Sequence, residues 1–93
     1  MAHGCLIANW KVLPTESQSR LGVITSRKVG NAVARSRARR LLRESFRRHQ
    51  LELAMPVDIV LVARPSIAGK SFVEVERAFL SAAHKAGLLK TGT

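Results

Sequence analysis

Apolar and polar positions alternate loosely from residue 5 to residue 13, which predicts a strand with Leu6, Ala8, Trp10 and Val12 on one face. Pro14 ends it, and the polar stretch from Thr15 to Ser19 reads as a turn. The run from Arg20 to Ser26 is rich in β-formers and is expected to pair antiparallel with the first strand. Arg27, Lys28, Val29 and Gly30 follow as a basic connector.

From Asn31, a plausible N-cap, the period changes to that of a helix. Ala34, Ala38, Leu41, Leu42, Ser45 and His49 form one stripe, with Phe46 at its edge. Arg35, Arg39, Arg40, Arg43 and Arg47 are expected to cover the opposite surface, flanked by Arg37 and Arg48. The helix therefore offers an apolar face to a sheet and an almost purely cationic face to its surroundings.

After Pro56, residues 57–63 (Val-Asp-Ile-Val-Leu-Val-Ala) are nearly all apolar, as expected of a strand buried on both faces. Arg64-Pro65 stops it. Ser71 and Glu74 have the spacing of a capping box. A second helix follows, burying Phe72, Val75, Phe79, Ala82, Ala83 and Ala86, and Gly87 ends it. The order β-β-α-β-α predicts one α+β two-layer sandwich over residues 1–93, with no internal repeat.

Composition narrows the partner. Sixteen Lys and Arg against six Asp and Glu leave a formal charge of +10, which favours an anionic partner: nucleic acid, membrane or acidic protein. Eleven of those cations are Arg, whose planar fork suits phosphates and base edges and so favours nucleic acid. No apolar run approaches the ~18 residues of a membrane span, and the N-terminus does not read as a signal peptide. A lone cysteine, Cys5, cannot form an internal disulfide and fits a reducing cytoplasm as a small strand residue.

The informative feature is the charge run. Between Arg35 and Arg48 stand seven Arg and one Glu, without the alternating Glu and Lys that stabilise a merely solvated helix. Like charges four apart cost a few tenths of a kcal/mol each, a repulsion that bound phosphates relieve. Arg27 and Lys28 lie near the helix N-terminus, where free amides and the dipole also attract phosphate. Charge alone fits DNA or RNA. Only Ser36 beside the arginines resembles a base-reading residue of a major-groove helix, which makes sequence-specific duplex DNA the weaker reading.

The block Ser26-Arg27-Lys28-Val29-Gly30-Asn31-Ala32-Val33-Ala34-Arg35-Ser36-Arg37-Ala38-Arg39-Arg40-Leu41-Leu42-Arg43-Glu44-Ser45-Phe46-Arg47 resembles the signature of the bacterial ribonuclease P protein subunit. Arg20-Leu21-Gly22-Val23, the run from Asp58 to Pro65 and the closing helix from Phe72 resemble it in the same order, so the likeness spans about residues 5–90. It implies a ribosomal protein S5 domain 2-like sandwich with a left-handed β-α-β crossover. It further implies an accessory subunit of an endonuclease whose catalytic RNA, using Mg2+, removes the 5′ leader of precursor tRNA. Arg35, Ser36, Arg37, Arg39, Arg40, Arg43 and Arg47 would meet RNA through the helix, with Arg27 and Lys28 adding phosphate contacts. A cleft on the sheet would hold the leader, with Trp10 either stacking on it or serving as a core residue.

Two departures from the family pattern carry expectations. Ser36 stands where the family has Asn, losing the amide's paired donor and acceptor. The chain as given also opens near the end of the family's aromatic-bearing first strand, without the short helix that precedes it, so weaker leader binding is expected. No constellation of the chain's own predicts chemistry: His3, His49 and His84 lack zinc-site spacing, Gly22, Gly30 and Gly69 make no phosphate loop, and the acids do not pair. His49 is expected to favour the helix C-terminus electrostatically. No bound cofactor, no metal, no catalytic residue and no membrane partner are expected of the protein itself. The rivals are a structural RNA-binding protein of ribosomal type and a basic DNA-binding protein.

Overall fold

The computed structural model describes residues 2–90. Its elements are β1 (Ala2–His3), β2 (Leu6–Val12), β3 (Arg20–Thr25), α1 (Ala32–His49), β4 (Val57–Ala63) and α2 (Phe72–Lys85). Single 3-10 turns lie at Arg27–Val29, Gln50–Glu52 and Pro65–Ile67. The two-residue β1, folded back on β2 through Gly4 and Cys5, adds to the expected order. Cys5 thus sits in a turn rather than a strand, and burial pushes its thiol pKa up.

One four-stranded sheet runs β1-β2-β4-β3. β2 and β3 do point in opposite directions, yet they are not neighbours. β4 lies between them, antiparallel to β2 (Trp10 opposite Ile59) and parallel to β3 (Leu21 opposite Ile59). The most apolar strand takes the centre, where both of its edges are hydrogen-bonded. The link from β2 to β3 is consequently no hairpin but a strap across the start of β4. Leu13 N donates to Pro56 O at 2.9 Å, and Val57 N donates to Ser19 Oγ at 3.0 Å.

Strand parity separates the sheet's two faces. Val57, Ile59, Leu61 and Ala63 are buried beneath the helices. Asp58, Val60 and Val62 are only half-buried, so β4 is not enclosed on both faces as its sequence suggests. Both helices pack on the first face, α1 over β3 and β4 and α2 over β1 and β2. Among the described residues, no element covers the other.

The core joins Leu6, Ala8 and the inner face of β4 to Ala38, Leu42, Phe46, Val75 and Phe79. Phe46, at the stripe's edge, packs edge-on against Phe79 with ring centroids 6.3 Å apart and is buried in the core, as an aromatic residue on an apolar stripe is expected to be. Phe72, expected in the core, is half-buried, with the Arg48 guanidinium 4.8 Å above its ring. Ser45, fully buried, satisfies its hydroxyl by donating to Leu41 O at 2.9 Å. At α2, Ser71 and Glu74 make both bonds of the capping box. Gly87, at φ 73°, turns the chain at the helix end so that Leu88 N reaches Ala83 O.

Candidate nucleic-acid interface

α1 starts where expected: the Asn31 side chain accepts from Ala34 N at 2.9 Å. The residue before it, Gly30, has φ 144°, and a Cβ there would meet Ala34 Cβ at 3.0 Å. Glycine is thus required for the connector to enter the helix this closely. Val29 anchors that connector in the core, leaving Arg27 and Lys28 exposed.

The arginines of α1 divide into two groups, rather than Arg35, Arg39, Arg40, Arg43 and Arg47 together covering one outer surface as expected from spacing. At 3.6 residues per turn, every fourth residue advances by about 40°, so Arg35, Arg39, Arg43 and Arg47 curl around the helix. Arg35 and Arg39 are half-buried, facing the connector and β3 respectively, whereas Arg43 and Arg47 are exposed. The outward row is instead Ser36, Arg40, Arg43 and Arg47, all exposed. Ser36, Arg37 and Arg40 line a shallow depression with Ala32 and Val33 at the start of the helix.

The half-buried guanidinium groups are held by neutral oxygens. Arg35 Nη1 donates to Gly30 O at 3.4 Å and Arg37 Nη2 to Lys70 O at 2.8 Å. Arg39 donates to Thr25 Oγ1 at 3.1 Å and to Ser36 Oγ at 3.3 Å. Further along, Glu44 interrupts the cationic face. Arg47 donates to it from Nε at 3.0 Å and from Nη2, and Arg48 Nε lies 3.3 Å away. Those bonds, Arg47's first, hold the Glu44 carboxyl below its ordinary pKa. Arg40, Arg43, Arg27 and Lys28 have no ion-pair or side-chain hydrogen-bond partner among the described residues. Thus α1 carries its unneutralised charge in its first three turns and at the connector.

His49 closes the helix with more than dipole complementarity. Its Nδ1 lies 2.5 Å from Glu52 Oε2 and its Nε2 2.8 Å from Glu76 Oε2. Burial opposes the imidazolium, but the two carboxylates outweigh it and raise the pKa. This clamp ties α1 to α2 beside Phe79.

Trp10 falls, by strand parity, on the helix-side face with Leu6 and Ala8, half-buried against the core rather than standing on the open face. Beyond it Val12 is 55% exposed, so the helices stop covering β2 there. Asn9 and Lys11 are the β2 residues that share the open face with Asp58 and Val60, around a shallow depression that Trp10 borders. Arg20 spans that face to Asp58 at 2.9 Å. Thr25, which steadies Arg39, had no signal in the sequence, because the contact depends on how α1 lies against β3. Among the described residues no three His, Cys, Asp or Glu gather where they could hold a metal ion.

The fold and this helix define a class: a small, basic α+β sandwich that presents an arginine face suited to a polyanion. The family model for ribonuclease P matches residues 5–87, and the chain belongs to that family. It is 37% identical over 87 residues to the ribonuclease P protein component of Clostridium kluyveri, covering 91% of this chain and 78% of that protein. The corresponding protein of Clostridium beijerinckii is 47% identical over 70 residues, 75% of this chain and 56% of that one, so the match spans little more than half of that relative's length. Among solved structures, the Staphylococcus aureus RNase P protein superposes with a TM-score of 0.81 at 24% identity, covering 97% of this chain and 82% of that one. The Thermotoga maritima RNase P protein gives 0.79 at 25%, covering 91% and 80%.

Proposed function

We propose that this chain is the protein component of a ribonuclease P. It would bind the catalytic RNA and the 5′ leader of precursor tRNA, and assist endonucleolytic removal of the leader in the cytoplasm. The observation that carries the reading is the run of arginines in the first three turns of α1, unneutralised by any carboxylate among the described residues, in a chain belonging to this family. A helix that neutralised its own charge would pair each arginine as Glu44 pairs Arg47; the N-terminal half of α1 does not.

In this reading the work divides by surface. Arg40 and Arg43, with Arg27 and Lys28 at the connector, contact phosphates of the catalytic RNA, and Arg35, Arg37 and Arg39 add charge from the shoulders. The open sheet face takes the leader along Asn9 and Lys11. Hydrolysis of the phosphodiester is the work of the RNA with its bound Mg2+. This chain's residues offset phosphate repulsion and orient the two RNAs.

The test is cleavage of precursor tRNA by the catalytic RNA at a magnesium concentration too low for the RNA alone. Addition of this protein restores cleavage if the reading holds. A structural RNA-binding protein of ribosomal type would leave the RNA inactive, and a DNA-binding protein would be displaced from structured RNA by duplex DNA.

A further inference from the structure

Arg39 differs from the other arginines of α1 in being held at two nitrogens by uncharged side chains. Nη1 donates to the Thr25 hydroxyl at 3.1 Å and Nη2 to the Ser36 hydroxyl at 3.3 Å. Thr25 is the last residue of β3, opposite Ala63 on the helix-side face of the sheet. Ser36 lies one turn before Arg39 on α1. The guanidinium is planar, so fixing two of its nitrogens fixes the plane of the whole fork. Of its five N–H groups, two are engaged and three remain to donate.

The chemistry of the two acceptors matters as much as their number. A carboxylate would orient the guanidinium and also cancel its charge, as Glu44 does for Arg47. Hydroxyls orient it and leave the charge intact. Such a fork is preorganised for an anion that arrives from outside, because little side-chain freedom remains to be lost on binding. Its location agrees: Thr25 and Ser26 lead directly into the connector that carries the exposed Arg27 and Lys28. The clamp therefore holds Arg39 at the seam between helix and connector, where two sources of positive charge meet.

We infer that Thr25 and Ser36 are positioning residues that aim the Arg39 guanidinium at an RNA phosphate, an inference that rests on the RNA-binding reading of α1. Ser36 then acts through Arg39 rather than by touching RNA itself.

A double-mutant cycle on the full chain, read as affinity for the catalytic RNA over a range of salt, tests this. Thr25→Val should weaken binding about three- to ten-fold, the range expected for one lost hydrogen bond of ordinary strength. The salt slope should stay unchanged, since no charge is removed. Thr25→Ser should restore affinity, and Thr25→Val should have no further effect once Arg39→Ala is present. Should Thr25→Val fail to fold, Ser36→Ala at an exposed helical position takes its place in the same cycle. A Thr25→Val or Ser36→Ala penalty that persists undiminished beside Arg39→Ala would show that the hydroxyls act independently of Arg39 and overturn the inference. Wild-type affinity in those variants, with Arg39→Ala still weakened, would overturn it too while leaving the RNA-binding reading standing. If Arg39→Ala and Arg40→Ala with Arg43→Ala all bind as wild type, the RNA-binding reading itself fails.

Discussion

Arg40 and Arg43 are the arginines of α1 on which the interface reading can be tested most sharply, because both are exposed and neither has a protein partner among the described residues. Replacing both by Ala removes two charges and no internal hydrogen bond, and Ala is a better helix former than Arg. The fold should therefore persist with an unchanged melting curve. If each guanidinium neutralises one phosphate, each releases about 0.7 to 0.9 of a counterion on binding. The plot of log affinity against log salt should then lose about 1.4 to 1.8 in slope. Relative to roughly 1 M salt, where counterion release contributes little, that slope corresponds to a loss of about twenty-fold at ~0.15 M. Filter binding or fluorescence anisotropy with the catalytic RNA over that salt range reads the effect directly. The Arg47→Ala variant provides an internal contrast: Glu44 already offsets its charge, so its slope should change by less than that of Arg40 or Arg43 alone. Parallel lines for the double variant and the wild type would refute the reasoning, because those two side chains would then contact no phosphate.

Three other outcomes follow from the geometry. His49 has a folded-state pKa above its ordinary 6.5, so its clamp contributes fully below that value and is lost as pH rises through the raised one; urea melts from about pH 6 to 9 should show the decline, and His49→Gln should flatten it. A wild-type stability that climbs over the same interval would contradict that sign. Trp10→Ala should cost ~2 kcal/mol, about half the loss for a fully buried aromatic, with little change in the preference for precursor over mature tRNA; a drop in that preference of about five-fold or more would instead assign Trp10 a stacking role. Asn31→Ala should lower stability by ~1 kcal/mol through loss of the bond from Ala34 N, whereas Asn31→Ser, measured in the same melts, should recover most of it.

Local features were legible because they depend on neighbours in the chain. The Asn31 cap, the Ser71–Glu74 capping box, the glycine ending α2 and the amphipathic span of α1 each involve residues no more than a few positions apart. A charge run without counter-charges is equally local, and with the family signature it points to the polyanion face. The position of β4 between β2 and β3 was not legible, because pairing partners are chosen by how the apolar runs compete for the centre of the sheet. Nor was the one-sided enclosure of β4, since a run of alternating Val, Ile and Leu looks alike whether helices cover one face or two.

Sequence alone determined that α1 would exist, where it would begin and that its charge would be arginine, since helix formation and net charge are settled by composition and short-range spacing. Tertiary structure decided which guanidinium groups remain free. The rotation of α1 against β3 and α2 places Arg39 beside Thr25 and Arg37 beside the Lys70 carbonyl, and leaves Arg40 and Arg43 without a partner among the described residues. That rotation is set by burying Ala38, Leu42 and Phe46, and nothing within the helix itself specifies what stands next to its flanks once those side chains are packed.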